Sequence, residues 1–185
     1  MNKAIHAVAI SGSLRRASTN SGLLRCAKEN LPEGMTLEIL DISELPFYNA
    51  DKDKENRTPA VANVLSRIET ADALVLACPE YNYSIAPALK NAIDWASREP
   101  DNRILNGKPV AIMGSGGGMG TSRAQYHLRQ VCVFVNLLPL NKPEIFANAF
   151  TGGFDAEGNV IDPKYKESIA KQMVALRDWA ARLSS

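Results

Sequence analysis

The chain has 185 residues, 45% hydrophobic and 22% charged, which suits one soluble domain with a full hydrophobic core. With 21 basic against 20 acidic residues the formal charge is +1, too little for a nucleic-acid footprint and without the acidic field common in electron-carrier proteins. Three scattered cysteines, Cys26, Cys78 and Cys132, fit neither a disulfide framework nor a metal site and read as small buried hydrophobes of a reducing compartment. The amino terminus has no basic start followed by an apolar core, and no apolar run approaches a membrane span, so a cytoplasmic location is expected.

In chain order, residues 4–10 form a short, branched apolar run that predicts a buried strand, and Leu24, Ala27 and Leu31 recur at helical spacing over residues 21–31. Between them lies the strand-to-helix turn Ser11-Gly12-Ser13-Leu14-Arg15-Arg16-Ala17-Ser18-Thr19-Asn20. After a turn at Pro32-Glu33-Gly34, residues 36–40 alternate like a half-exposed edge strand. A polar loop covers residues 43–58, carrying Phe47, Tyr48 and a charged run over 51–57; its length suggests a functional or interface role. Thr58-Pro59 caps and opens a helix with Val61, Val64, Leu65 and Ile68 on one face. Residues 71–78 form a strand whose centre is apolar throughout, as in the middle of a parallel sheet. It runs into Pro79-Glu80-Tyr81-Asn82-Tyr83-Ser84, and Pro87 starts the next helix. A fourth strand, residues 110–113, leads into the glycine-rich stretch 114–121 and a helix from Ser122 to about Val135. A short fifth strand is expected within residues 137–141, a loop or small hairpin over 152–162, and a last helix capped by Asp162-Pro163.

Five β-α alternations with right-handed crossovers imply a doubly wound parallel sheet with helices on both faces. Ligands of such sheets bind outside the carboxyl ends of the strands where the strand order reverses. The loops after strands one, three and four are the polar ones, and all three open there. The first, with three serines, a threonine, an asparagine and two arginines at a helix start, suits a phosphate group; alternatively Ser18 merely caps a helix in a solvated turn. No P-loop and no G-x-G-x-x-G occurs, so a mononucleotide phosphate is indicated rather than a dinucleotide. The second loop offers backbone amides and aromatic rings to a flat heterocycle, or else is a rigid turn with Tyr81 and Tyr83 packed on a helix. The glycines of the third allow close backbone approach to a ligand, or simply a flexible turn.

Three motifs together carry a resemblance that extends over almost the whole chain. G-S-L-R-x-x-S-x-N after strand one, P-E-Y-N-x-S with L-K-N-A-I-D-W after strand three, and Y-H-L-R-Q followed by N-K-P-E resemble the NAD(P)H-dependent FMN reductase family, bacterial quinone and chromate reductase branch. The resemblance implies a flavodoxin-like α/β fold of order 2-1-3-4-5 and non-covalently bound FMN. The phosphate would lie on Ser13, Leu14, Arg15, Arg16, Ala17, Ser18, Thr19 and Asn20. The isoalloxazine would be lined by Pro79, Glu80, Tyr81, Asn82, Ser115, Gly116 and Gly117. NADPH or NADH would transfer hydride to the flavin and leave, and a quinone, free flavin or chromate-type oxidant would then be reduced in the same place. No acid–base residue is required, because the cofactor carries the hard chemistry; His6 and His127 read as packing residues. A flavodoxin-type electron carrier without nicotinamide turnover is the alternative. The family resemblance also implies a homodimer or homotetramer. Tyr83, Trp95 and the loop around Tyr48 are read as surface-leaning aromatics that would wall the flavin, with Tyr126, Arg129 and Glu144 available for a further contact between dimers.

Overall fold

The computed structural model describes residues 4–55 and 57–183; Asn56, in the charged run, lies outside them. The elements are β1 (Ile5–Ser11), α1 (Thr19–Glu29), β2 (Met35–Leu40), α2 (Ala50–Glu55), α3 (Pro59–Thr70), β3 (Ala73–Ala77), β4 (Glu80–Tyr81), β5 (Ser84–Ile85), α4 (Pro87–Ala96), β6 (Pro109–Gly116), α5 (Ser122–Phe134), β7 (Leu138–Pro139), β8 (Ile145–Asn148) and α6 (Pro163–Leu183). The main sheet is parallel, ordered β2-β1-β3-β6, with β7 and β8 both against the far edge of β6. This is the doubly wound order expected from the sequence.

The period-two alternation of the strands assigns the two faces. Val8, Ile10, Leu74, Leu76, Val110 and Ile112 pack toward α3, α4 and α5. Ala7, Ala9, Ala73, Ala77, Ala111 and Ala147 face α1 and α6, and their small side chains let those helices approach the sheet closely. Thr58 caps α3 by accepting from the Val61 amide at 3.3 Å, and Asp162 accepts from the Lys164 amide at 2.8 Å at the start of α6. Cys26, Cys78 and Cys132 are buried and unbridged.

Three local expectations are corrected. The fifth strand is not one segment within residues 137–141: β7 meets only the start of β6, and β8, Ile145–Asn148, carries the pairing beside its end. Pro139 and Pro143 cannot donate to a ladder, so the strand breaks between them. The loop over residues 43–58 contains α2, nucleated where the Asn49 side chain accepts from the Asp51 amide at 2.9 Å and acidic residues meet the helix start. Trp95 is not surface-leaning; it is 1% exposed, packs edge-on against Tyr48 at 5.1 Å and donates its indole N–H to the Pro46 carbonyl.

Candidate functional site

The loops after β1, β3 and β6 meet at the carboxyl edge of the sheet because their glycines permit it. A Cβ on Gly12 would lie 2.8 Å from the Pro79 ring and 2.9 Å from the Leu89 side chain. One on Gly114 would fall 2.6 Å from the Cys78 carbonyl and closer still to the Thr121 hydroxyl. Glycine at these positions brings three chain segments within van der Waals contact of one another.

In the first loop, the Ser18 hydroxyl caps α1 by accepting from the Ser21 amide at 3.2 Å. The Ser11 hydroxyl accepts from the Ser21 hydroxyl at 3.0 Å and from the Ser13 amide at 3.3 Å. No acidic residue sits in the first turn of α1, so its positive end is left for an anion. Leu14, Arg15 and Arg16 are exposed, Ser13 and Ala17 half-buried, and Ser18, Thr19 and Asn20 buried. Arg15 lines two neighbouring cavities, of about 420 and 290 Å³, and Arg16 lines neither. The Asn20 carboxamide turns inward: it donates to the Ser115 carbonyl at 2.8 Å and accepts from the Ser115 amide at 3.0 Å. Its place is therefore that of a strut between the first and third loops.

The second loop is a tight hairpin. β4 and β5 pair antiparallel across a two-residue turn in which Asn82 (φ 51°) and Tyr83 (φ 67°) are both left-handed, the geometry of a type I′ turn. Tyr83 pays a steric cost there that the Arg123 guanidinium, 3.6 Å from the centre of its ring, helps to offset. The Glu80 carboxylate points away from the cleft, accepting from Arg123 Nε at 2.6 Å and from the Ala124 amide at 3.3 Å. It thus supplies the anion at the start of α5, where Thr121 makes no side-chain cap bond. The Glu80 ion pair holds the Arg123 guanidinium above its ordinary pKa. Tyr81 and Asn82 are exposed beside it, and Pro79 is buried at its base.

β6 runs past the expected residue 113 to Gly116 and so takes up the start of the third loop's glycine-rich stretch; there Gly116 is required by internal packing, since a Cβ would lie 2.4 Å from the Gly120 carbonyl. Gly117 and Gly118 face open space, with nothing within 4 Å of a built Cβ. Ser115 is 4% exposed, yet its hydroxyl has no hydrogen-bond partner. An unpartnered buried hydroxyl of this kind is a group that a bound molecule would satisfy.

Two contributions escaped the sequence. Gly158 (φ +81°) packs on the first loop so closely that a Cβ would sit 2.8 Å from the Ser18 carbonyl group and 2.9 Å from the Ala17 oxygen. Arg25 fixes the same 153–160 hairpin through the Asn159 side chain at 2.7 Å. Glycine in a polar segment reads only as a turn, so nothing marked its packing partner. Arg123 was the other, anonymous as a helix charge until the fold set it beside Glu80 and Tyr83. The remaining titratable groups offer little chemistry. Burial pushes the Cys78 thiol up to about 12, which removes it as a nucleophile at neutral pH. His6 meets the Thr36 hydroxyl at 3.1 Å near the start of β1, and His127 meets the Ser84 hydroxyl at 3.2 Å. Among the described residues no three His, Cys, Asp or Glu side chains gather as a metal site.

The family model described as NADPH-dependent FMN reductase matches residues 5–152. The chain belongs to this family. It is 50% identical over 184 residues to an NAD(P)H-dependent FMN reductase of Pseudomonas aeruginosa, covering 99% of each chain. It is 45% identical over 186 residues to an NADPH:quinone oxidoreductase of Arabidopsis thaliana, covering 97% of this chain and 93% of that one. Among solved structures, the flavoenzyme NAD(P)H:(acceptor) oxidoreductase FerB of Paracoccus denitrificans superposes with a TM-score of 0.86 at 30% identity, covering 96% and 98% of the two chains. This member of the FMN reductase family is an oxidoreductase with FMN as cofactor and NAD(P)H as reductant. The cleft fits that cofactor: an anion-ready helix start, an orphaned buried hydroxyl and two open glycines lie on converging loops.

Proposed function

We propose that this FMN reductase is an NAD(P)H:quinone oxidoreductase, with free flavin and chromate-type oxidants as further acceptors. The overall reaction is NAD(P)H + H⁺ + quinone → NAD(P)⁺ + hydroquinone, two electrons and two protons to the acceptor. Bound FMN supplies the two-electron relay between nicotinamide and quinone. The observation that carries the reading is the convergence of three loops on one sheet edge with the unpartnered Ser115 hydroxyl between them.

Each loop has a task in this proposal. Residues Ser13 to Thr19 hold the flavin phosphate, Arg15 by a charge-assisted bond and the start of α1 by its backbone donors. Asn20 fixes the distance between that phosphate seat and the third loop. Pro79, Glu80, Tyr81 and Asn82 present backbone along the heterocycle, with the Glu80 side chain anchoring the hairpin to α5. Ser115, Gly116 and Gly117 offer a hydroxyl and amides where reduction places negative charge.

The 1–185 chain is read as one domain working in the cytoplasm, a setting that suits three unbridged buried cysteines; among the described residues no helix is long and apolar enough to cross a membrane. Its assembly is a homodimer or homotetramer. Support comes from Val133 and Phe134, more than three-quarters exposed at the end of α5, beside a cavity of about 610 Å³ between α4 and α5 lined in part by Ile85, Ile93 and Val131. Exposed apolar surface of that kind favours a partner, and a net charge of +1 repels a second copy little. Tyr126 is exposed for a contact between dimers, while Arg129 and Glu144 are engaged within the subunit by the Leu140 carbonyl and by Lys142.

The test is the absorption spectrum of the purified protein followed by anaerobic titration with NADPH. A yellow protein that bleaches with one equivalent of NADPH and recovers its colour on adding a quinone is expected. A colourless protein that takes up no FMN overturns the cofactor assignment, and a flavoprotein that NADPH and NADH leave oxidised is an electron carrier instead. Light scattering that gives a monomer of 20.1 kDa removes the assembly.

A further inference from the structure

The segment before α2 is held in an unusual way. The buried Asn91 carboxamide donates to the Pro46 carbonyl at 2.9 Å and accepts from the Tyr48 amide at 2.8 Å. The buried Trp95 indole donates to the same Pro46 carbonyl at 2.8 Å. Two interior polar side chains therefore grip the backbone on both sides of Phe47, and the Phe47 ring is left 78% exposed. An aromatic ring that neither packs in the core nor moves with a free loop is a surface kept ready for something.

The ring lines the 420 Å³ cavity that Arg15 also borders. Leu14 and Tyr81, likewise exposed, stand around the same space, and Ile42, Leu45 and Pro87 complete an apolar wall. Arg15 is the one charged residue among the described lining. The cavity thus shares Leu14, Arg15 and Tyr81 with the proposed flavin seat. Its largely apolar wall favours a flat, weakly polar ring over a small hydrated oxyanion.

Building on the quinone-reductase reading, we propose that this cavity is the acceptor subsite, in which Phe47 stacks on the ring of a bicyclic quinone and selects it over small ionic oxidants. The Asn91–Trp95 grip fixes the Phe47 backbone in advance, so little ordering entropy is lost when the ring engages. Tyr81, which lines the same cavity, contributes the second aromatic edge.

The test uses FMN-loaded protein with menadione as the bicyclic probe and ferricyanide as the ionic one. Calorimetric titration of the oxidised enzyme with menadione, without NADPH, reads binding apart from turnover. Phe47→Ala is expected to weaken menadione binding by about tenfold and to raise its KM by a similar factor. The ferricyanide rate and FMN affinity should stay within about twofold, the scatter of an unrelated surface substitution. Because the ring is exposed, truncation opens no core cavity; Phe47→Trp, expected to bind menadione at least as tightly as wild type, provides the check if Phe47→Ala folds poorly. Unchanged menadione binding and KM in Phe47→Ala overturns the subsite while leaving the quinone-reductase reading intact. Wild type that reduces ferricyanide but not menadione overturns that reading instead. A change in oligomeric state with equal losses for every acceptor makes Phe47 a subunit contact and also overturns the subsite.

Discussion

Ser115→Ala should move folding and flavin binding in opposite directions. The Ser115 hydroxyl is buried without a partner, a situation that costs about 1–3 kcal/mol relative to a satisfied or absent group. Alanine removes the hydroxyl and keeps the backbone, so the Asn20–Ser115 bonds at 2.8 and 3.0 Å remain. The apoprotein should gain about 1 kcal/mol, which in a domain of this size raises Tm by about 2–4 °C. If the hydroxyl meets the flavin, the variant loses one hydrogen bond, worth about 0.5–1.5 kcal/mol, and FMN affinity falls by roughly two- to tenfold. Thermal melts of apoprotein, with and without saturating FMN, measure both quantities at once, since ligand stabilisation follows the ratio of concentration to dissociation constant. An apoprotein that melts lower, with unchanged FMN affinity, refutes the reasoning: the hydroxyl would then be held internally and face no ligand.

Arg15→Ala should weaken FMN by roughly tenfold to a hundredfold or more, the loss of a charge-assisted bond of about 1.5–3 kcal/mol, whereas Arg16→Ala changes it little; equal losses in calorimetric titrations of the two would show a diffuse field instead. Gly158→Ala, outside the cleft, forces a side chain onto the Ala17–Ser18 backbone from a φ of +81°, and should cost about 1–2 kcal/mol of stability from the backbone alone and weaken FMN as the phosphate seat shifts; a denaturation midpoint equal to wild type argues against the buttress. Lys108 donates from Nζ to the carbonyls of Ile68, Glu69 and Ala71 at the end of α3, and burial pushes its pKa down from 10.5 to about 8. The native state then sheds this proton before the unfolded chain does, so the residue's contribution to stability rises as pH climbs from about 8 to 10.5. Lys108→Met should lack that rise, and urea midpoints at pH 7.5 and 10 that shift in parallel for both proteins would contradict it.

How much of this was legible in the sequence depends on which interaction placed each residue. The sheet order was readable because strand burial and helix periodicity are local signals, and right-handed crossovers leave few ways to join them. Proline and asparagine carried the places where the reading slipped. Pro139 and Pro143 divided the last strand in two, and Asn49 started a helix in a segment read as a polar loop. Trp95 was misplaced for a different reason: its apolar neighbours agree with either face of a helix, and only the Pro46 carbonyl, 49 residues earlier, tells the indole where to go.

The cleft divides along the same line. Residue types suited to an anion at the start of α1 were visible, since capping and dipole effects act within one turn. What each side chain does there was not, because its partner comes from elsewhere in the chain. Asn20 could as well have faced a phosphate; it faces Ser115, 95 residues away. Glu80 could have faced the heterocycle; it faces Arg123 and the start of α5 instead. Both residues sit inside the motifs that carry the family resemblance, and the structure gives those motifs a physical sense. In the proposed binding mode, side chains that brace the loops against one another leave the backbone groups, the Ser115 hydroxyl and Arg15 for the ligand. Rigid bracing around a few unsatisfied donors is the arrangement that preorganised electrostatics requires, because donors already in place need not reorganise when charge develops.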